Sequence, residues 1–114
     1  MIPDALAFAE EWTAAWNAHD LERILVHYAP EIVFHSPIAQ ARFGAGRLVG
    51  LAALRAYWEK GLGAYPELKF KVLGVYSGHK SLSIRYENQL GREAVETFEF
   101  GDDGKVIRSC ACYA

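Results

Sequence analysis

Few residues in this chain have types and spacing suited to chemistry, and Glu96 is the most informative. It alternates with Ala94, Phe98 and Phe100 in a stretch, Arg92 to Phe100, that reads as a strand. It therefore shares a face with an otherwise apolar set. A carboxylate there is desolvated, which raises its proton affinity and suits it to general acid or base work. The alternatives are a core glutamate paired with an arginine such as Arg42 or Arg47, or one at a wet sheet edge. His35 ends a short strand beside Ser36. Its imidazole titrates near neutrality and can shuttle a proton. The alternative is a histidine bonded to a loop carbonyl. Adjacent strand residues diverge, so only one of His35 and Ser36 faces inward unless a bulge intervenes. For that reason, and for want of a nucleophile-elbow sequence, a Ser36, His35, Glu96 triad has little support. Tyr86 and Asn88 share a face with Leu82 and Ile84 and can hydrogen-bond a ligand in an apolar pocket. Asn88 also stands beside a turn, where a structural role is the alternative.

Other chemistries find no footing. His19, His27, His35 and His79 fall on different elements, with no H-x-x-x-H or clustered carboxylates, so no metal site is expected. Gly44-Ala45-Gly46 is not followed by a P-loop lysine, and no cofactor is expected. The formal charge of -2 and the lack of a basic cluster give nucleic-acid binding no electrostatic support, and no nucleic-acid partner is expected. The N-terminus MIPDALAF has no basic region before an apolar run, and no apolar run is long enough to cross a bilayer. A cytoplasmic protein is the expectation. Cys110 and Cys112, two apart in a strand, read as free, buried thiols rather than a C-x-x-C redox pair.

These candidates must be positioned by a single domain, residues 1–114, with 52% hydrophobic residues and 13% aromatic. That leaves apolar area for a cavity or an interface. Trp12 and Trp16 are four apart and stack on one helical face with Leu6 and Ala9. Pro3 and Asp4 open that helix. Asp20 caps a second helix over Leu21 to Tyr28, which Pro30 ends. Glu31 to Ser36 is a strand. Pro37 to Gly50 reads as a long loop with one short strand near Arg47 to Val49. Leu51, Leu54, Trp58 and Leu62 form the stripe of a third helix, stopped by Gly61, Gly63 and Pro66. The period then switches to two. Strands are expected at Glu67 to Tyr76, with a bulge near Gly74, and at Lys80 to Leu90, Arg92 to Phe100 and Lys105 to Tyr113. Helices followed by hairpin-linked strands imply an α+β fold with helices on one side of the sheet. At helical spacing Trp12, Trp16, Tyr57 and Trp58 are core first and pocket wall second. Phe98, on the face of Glu96, is a further pocket-lining residue.

The segments W-x-x-A-W-N-A-H-D-L at 12–21, Y-A-P-E-I-V-F-H-S-P at 28–37, G-L-A-A-L-R-A-Y-W at 50–58 and G-K-V-I-R-S-C-A-C-Y at 104–113 resemble the nuclear transport factor 2-like superfamily. Within it the chain is most similar to the SnoaL-like group of polyketide cyclases and ketosteroid isomerases. The resemblance implies a cone, in which a curved, largely antiparallel sheet wraps three helices around a deep pocket. It implies homodimers pairing through the outer sheet face, and a pocket-lining aromatic at Tyr113. The pocket hosts isomerases, dehydratases, cyclases and binding modules, so the fold alone does not choose a reaction. The isomerases' base position falls at Ser36, their oxyanion tyrosine at Trp12 and their protonated aspartate at Glu96. Ser36 is too weak a base and Trp12 has no acidic hydroxyl, so the steroid isomerase mechanism is not expected. The epoxide hydrolases' arginine and paired aspartates are not evident either. The sequence thus predicts a pocket for a small apolar organic ligand. It serves a cofactor-free proton transfer (isomerisation, cyclisation or dehydration) or, alternatively, binding without turnover or a dimeric scaffold.

Overall fold

Six strands form one curved mixed sheet in a computed structural model that describes residues 2–114. Their spatial order is β2-β1-β6-β5-β4-β3. The strands are β1 (Tyr28–His35), β2 (Arg47–Val49), β3 (Lys71–Gly78), β4 (Ser81–Glu87), β5 (Glu93–Phe100) and β6 (Val106–Tyr113). All neighbours pair antiparallel except β1 and β6, which run parallel. Four helices accompany them: α1 (Ala5–Asn17), α2 (Leu21–Leu25), α3 (Pro37–Phe43) and α4 (Leu51–Ala64). The expected α+β cone is present, with four helices where the sequence suggested three.

Helix starts follow their caps. Asp4 is the cap of α1 rather than a first-turn residue, and its Oδ2 accepts from the Ala7 amide at 2.9 Å. Asp20 caps α2 through the Arg23 amide at 3.2 Å. The buried stripe of α1 is Phe8, Ala9, Trp12, Ala15 and Trp16, while Leu6 points outward at 63% exposure. Facing them on the sheet are Leu82, Ile84, Phe98, Phe100 and Val106. Alternation along β4 and β5 is strict, so one sheet face is core and the other is solvent.

Three local expectations are corrected. α2 stops at Leu25, not at Tyr28, because β6 captures the chain: the Val106 amide donates to the His27 carbonyl at 2.9 Å and Tyr28 pairs with Val106. Pro30 then lies inside β1, where the register against β6 shifts and no ladder donor is demanded of it. The segment read as loop after Pro37 contains α3. Ser36 is its cap, Pro37 its first residue, and Gly44 closes it at φ 72°. Helix α4 continues through Gly61 and Gly63 to Ala64. Its cap, Gly50, sits at φ 91°, a conformation that disfavours any side chain. The expected bulge in β3 is found between Val72 and Gly74.

Candidate active site

A cavity of about 220 Å³ opens between the concave sheet face and helices α1, α3 and α4. That is below the roughly 300–1,000 Å³ typical of clefts for drug-sized ligands. A dry void of roughly 150 Å³ already admits a benzene ring. The space therefore suits a compact molecule of one or two rings. All three tryptophans of the chain, Trp12, Trp16 and Trp58, line it, together with Phe34 and Phe70. Trp12 stacks on Phe70 with ring centres 5.5 Å apart, and Trp58 meets Trp16 edge-on at 5.1 Å. The rings brace one another, so the wall is rigid and flat-sided. The buried indole N–H of Trp16 has no acceptor among the described residues.

Glu96 is on this wall, 5% exposed. Its Oε1 accepts from the Tyr86 hydroxyl at 3.3 Å and its Oε2 from the Ser109 hydroxyl at 3.4 Å. Strand register explains both contacts. Glu96 pairs with Ile84 on β4 and Ala111 on β6, which makes Tyr86 and Ser109 its diagonal neighbours. Neither Arg42 nor Arg47 reaches it, and no cation pairs with it among the described residues. Burial without a countercharge raises its pKa to about 7, against the smaller opposing pull of the two hydroxyls.

Phenols ring this carboxylate. Burial, and then the charge of Glu96, pushes the pKa of Tyr28, Tyr57, Tyr86 and Tyr113 upward, so all four stay protonated donors at neutral pH. Ala94 lies between Tyr86 and Tyr113 in the register across three strands. Its small side chain lets the two hydroxyls meet. Tyr28 is anchored by the Trp12 Nε1, which donates to its hydroxyl at 3.2 Å. Sequence reasoning placed Tyr28 on a helix and omitted Ser109. Parity along β6 held the signal for Ser109, which alternates with Ala111 opposite the two cysteines.

The other candidates are dispersed. His35 is half-buried in a shallow depression on the convex sheet face, beside Thr97 and Cys110, so the sheet separates it from Glu96. Ser36 is buried and spends its oxygen on the α3 cap, accepting from the Ile38 and Ala39 amides at 3.2 and 3.4 Å. Its hydroxyl also meets that of Tyr57. Asn88 borders the cavity, but its Oδ1 accepts from the Leu90 and Arg92 amides and holds the β4–β5 turn. Phe98 is fully buried under Phe8 and Trp12 and is core rather than cavity wall. Tyr57, Trp58 and Tyr113 do line the cavity. Cys110 and Cys112 are free but exposed on the convex face, not buried, because Ser109 and Ala111 take the inward positions of β6. Among the described residues no group of three His, Cys, Asp or Glu side chains is placed to hold a metal ion. No described helix is long and apolar enough to cross a membrane.

This arrangement of helices, curved sheet and interior cavity is a known one, and residues 9–109 match the SnoaL-like domain. The chain belongs to the SnoaL-like family. A SnoaL-like protein of unknown function from Burkholderia thailandensis is 40% identical and superposes with a TM-score of 0.93, covering 96% of this chain and 92% of that one. AclR from Streptomyces galilaeus, a candidate hydroxylase, is 25% identical with a TM-score of 0.76, over 96% and 87% of the two chains. A candidate polyketide cyclase from Sinorhizobium meliloti shares the fold at 16% identity and a TM-score of 0.77, over 93% and 94%. No curated protein matches this chain. SnoaL-like membership places the chain in the nuclear transport factor 2-like superfamily.

Proposed function

We propose that this SnoaL-like protein binds a small apolar organic substrate in the cavity and moves a proton on it, without a cofactor. Isomerisation, cyclisation and dehydration all fit that description. One observation carries the reading: Glu96 is a buried carboxylate on the cavity wall with a pKa of about 7 and no cation paired with it among the described residues. A group poised near the working pH both accepts and returns a proton efficiently. In this reading Glu96 is the general acid–base. The Tyr113 hydroxyl stabilises the oxyanion that forms as a proton leaves carbon, while Tyr86, whose one O–H is donated to Glu96, positions the carboxylate. The Trp16 indole N–H supplies a donor for a ligand acceptor. His35 and Ser36, which do not line the cavity, take no part on the substrate. The convex sheet face, which carries Val95 at 39% exposure and both cysteines, is assigned to the pairing of two copies.

Deuterium exchange at the carbon next to the carbonyl of β-tetralone, a bicyclic enolisable ketone, tests the reading. The wild-type protein is expected to accelerate exchange over buffer, with a pH dependence centred near 7. Glu96→Gln should reduce that acceleration by on the order of 10²-fold or more. The second reading, a binding module without turnover, is favoured by the dispersal of His35 and Ser36, which leaves Glu96, of the three proposed catalytic residues, alone on the cavity wall among the described residues. It predicts that β-tetralone binds but exchanges no faster than in buffer.

A further inference from the structure

The mouth of the cavity differs in character from its floor. Two arginines stand there, Arg42 in the last turn of α3 and Arg92 in the turn before β5, both exposed and both lining the opening. Four other arginines of the chain hold carboxylates: Arg23 with Glu11, Arg55 with Glu22, Arg85 with Glu93 and Arg108 with Glu99. Like Arg47, which does not line the cavity, Arg42 and Arg92 pair with no Asp or Glu side chain among the described residues. Each is instead laid over an aromatic ring that itself lines the cavity. The Arg42 guanidinium sits 4.9 Å from the ring centre of Tyr65 and bonds its hydroxyl. The Arg92 guanidinium sits 5.1 Å from the ring centre of Tyr113, and its Nε donates to a main-chain oxygen of Ala114 at 3.4 Å. Stacking fixes a planar guanidinium while leaving its remaining N–H groups free for an oxygen pair.

The cavity is therefore polarised, with a carboxylate and phenols at its depth, aromatic walls between, and two guanidinium groups at the entrance that no acidic side chain neutralises. We propose that the natural ligand of this cavity is a small aromatic acid, its ring held among the tryptophans and its anionic oxygens at the mouth against Arg42 and Arg92. This rests on the reading of the cavity as a small-molecule site and adds the substrate class. It also sets the orientation. The acid group stays away from Glu96, whose charge would repel it, and the ring carbons opposite the acid come nearest the catalytic carboxylate.

A matched pair of probes decides the matter. β-Naphthoate and β-naphthamide have nearly the same shape and differ in charge. Their binding is compared by calorimetry at about pH 6, where the naphthoate is ionised and Glu96 is mostly protonated. The naphthoate is expected to bind about fivefold to tenfold tighter than the amide, with the advantage shrinking as salt is raised. Arg42→Gln and Arg92→Gln should each remove part of that preference, and the double variant all of it, with the affinity of the amide changing less than that of the naphthoate. Equal affinity for the two probes, or a preference that survives the double variant, would overturn the acid proposal and leave the small-molecule reading standing. Failure of both probes to bind would overturn the small-molecule reading itself.

Discussion

Glu96 stores a measurable quantity of free energy. Its pKa rises from the ordinary carboxylate value of 4.5 to about 7 because burial penalises the charged form. The folded chain thus holds a proton that the unfolded chain has released across that interval. Stability contributed by the protonated group is fully present below about pH 4.5 and is lost as pH rises through 7. A tenfold change in proton affinity corresponds to about 1.4 kcal/mol, so the loss approaches about 3 kcal/mol above pH 7. Glutamine keeps the size and carries no charge; like the protonated acid it accepts from one of the Tyr86 and Ser109 hydroxyls and donates to the other, which turns to accept. Glu96→Gln is therefore expected to be more stable than the wild type by about 2–3 kcal/mol near pH 8, and nearly equal to it near pH 4. Urea unfolding of the two proteins at both pH values reads the difference. His27, whose pKa burial lowers, destabilises both proteins alike on the acid side and cancels. A constant gap at both pH values would mean that Glu96 does not titrate near neutrality in the folded chain.

At the scale of elements, the cavity depends on how the segment before β3 is held. Asn17, the last residue of α1, clips it through two bonds. Its Nδ2 donates to the Phe70 carbonyl at 3.0 Å, and its Oδ1 accepts from the Phe70 amide at 2.7 Å. Two residues on, the His19 ring donates from Nε2 to the Leu68 carbonyl at 2.8 Å. Phe70 and Leu68 are both wall residues, so the clip sets the wall. Asn17→Ala leaves two half-buried backbone groups unpaired and is expected to cost about 2 kcal/mol. Amide exchange at Phe70 should accelerate selectively, and unchanged protection there would show that the sheet alone holds the segment. The sequence revealed the period-two strands that carry Glu96 and Tyr86, because one face of each is apolar and the other polar. It did not reveal that Asn17 reaches Phe70 across 53 residues, since no local pattern encodes such a contact. α3 was hidden for a different reason. Its only marks are a serine–proline start and a glycine stop, and seven residues are too few to show a helical period.

For the whole molecule, two faces of one sheet divide the work. The concave face encloses the cavity, and the convex face is a polar ladder with an apolar centre. Ser83 bonds Thr97 at 2.8 Å, while Arg85 with Glu93 and Arg108 with Glu99 form ion pairs around Val95 and Cys112, which pair in the register. Cys110 and Cys112 read from the sequence as buried because free cysteine is usually a small apolar core residue, but here they are exposed. In the fold Ser109 turns inward to serve Glu96 and the thiols turn out. The proposed pairing of two copies places Val95 near its symmetry mate, since a two-fold interface brings a patch against itself. The wild type should then have a mass near twice 12.7 kDa by light scattering. Val95→Glu sets like charges against each other in a desolvated patch and is expected to weaken pairing by on the order of 10²-fold, towards a chain of 12.7 kDa. Val95 faces away from the cavity, so the variant should keep its affinity for β-naphthoate. A wild type that already runs at the mass of one chain would remove the convex face from the assembly and leave its apolar centre without a role.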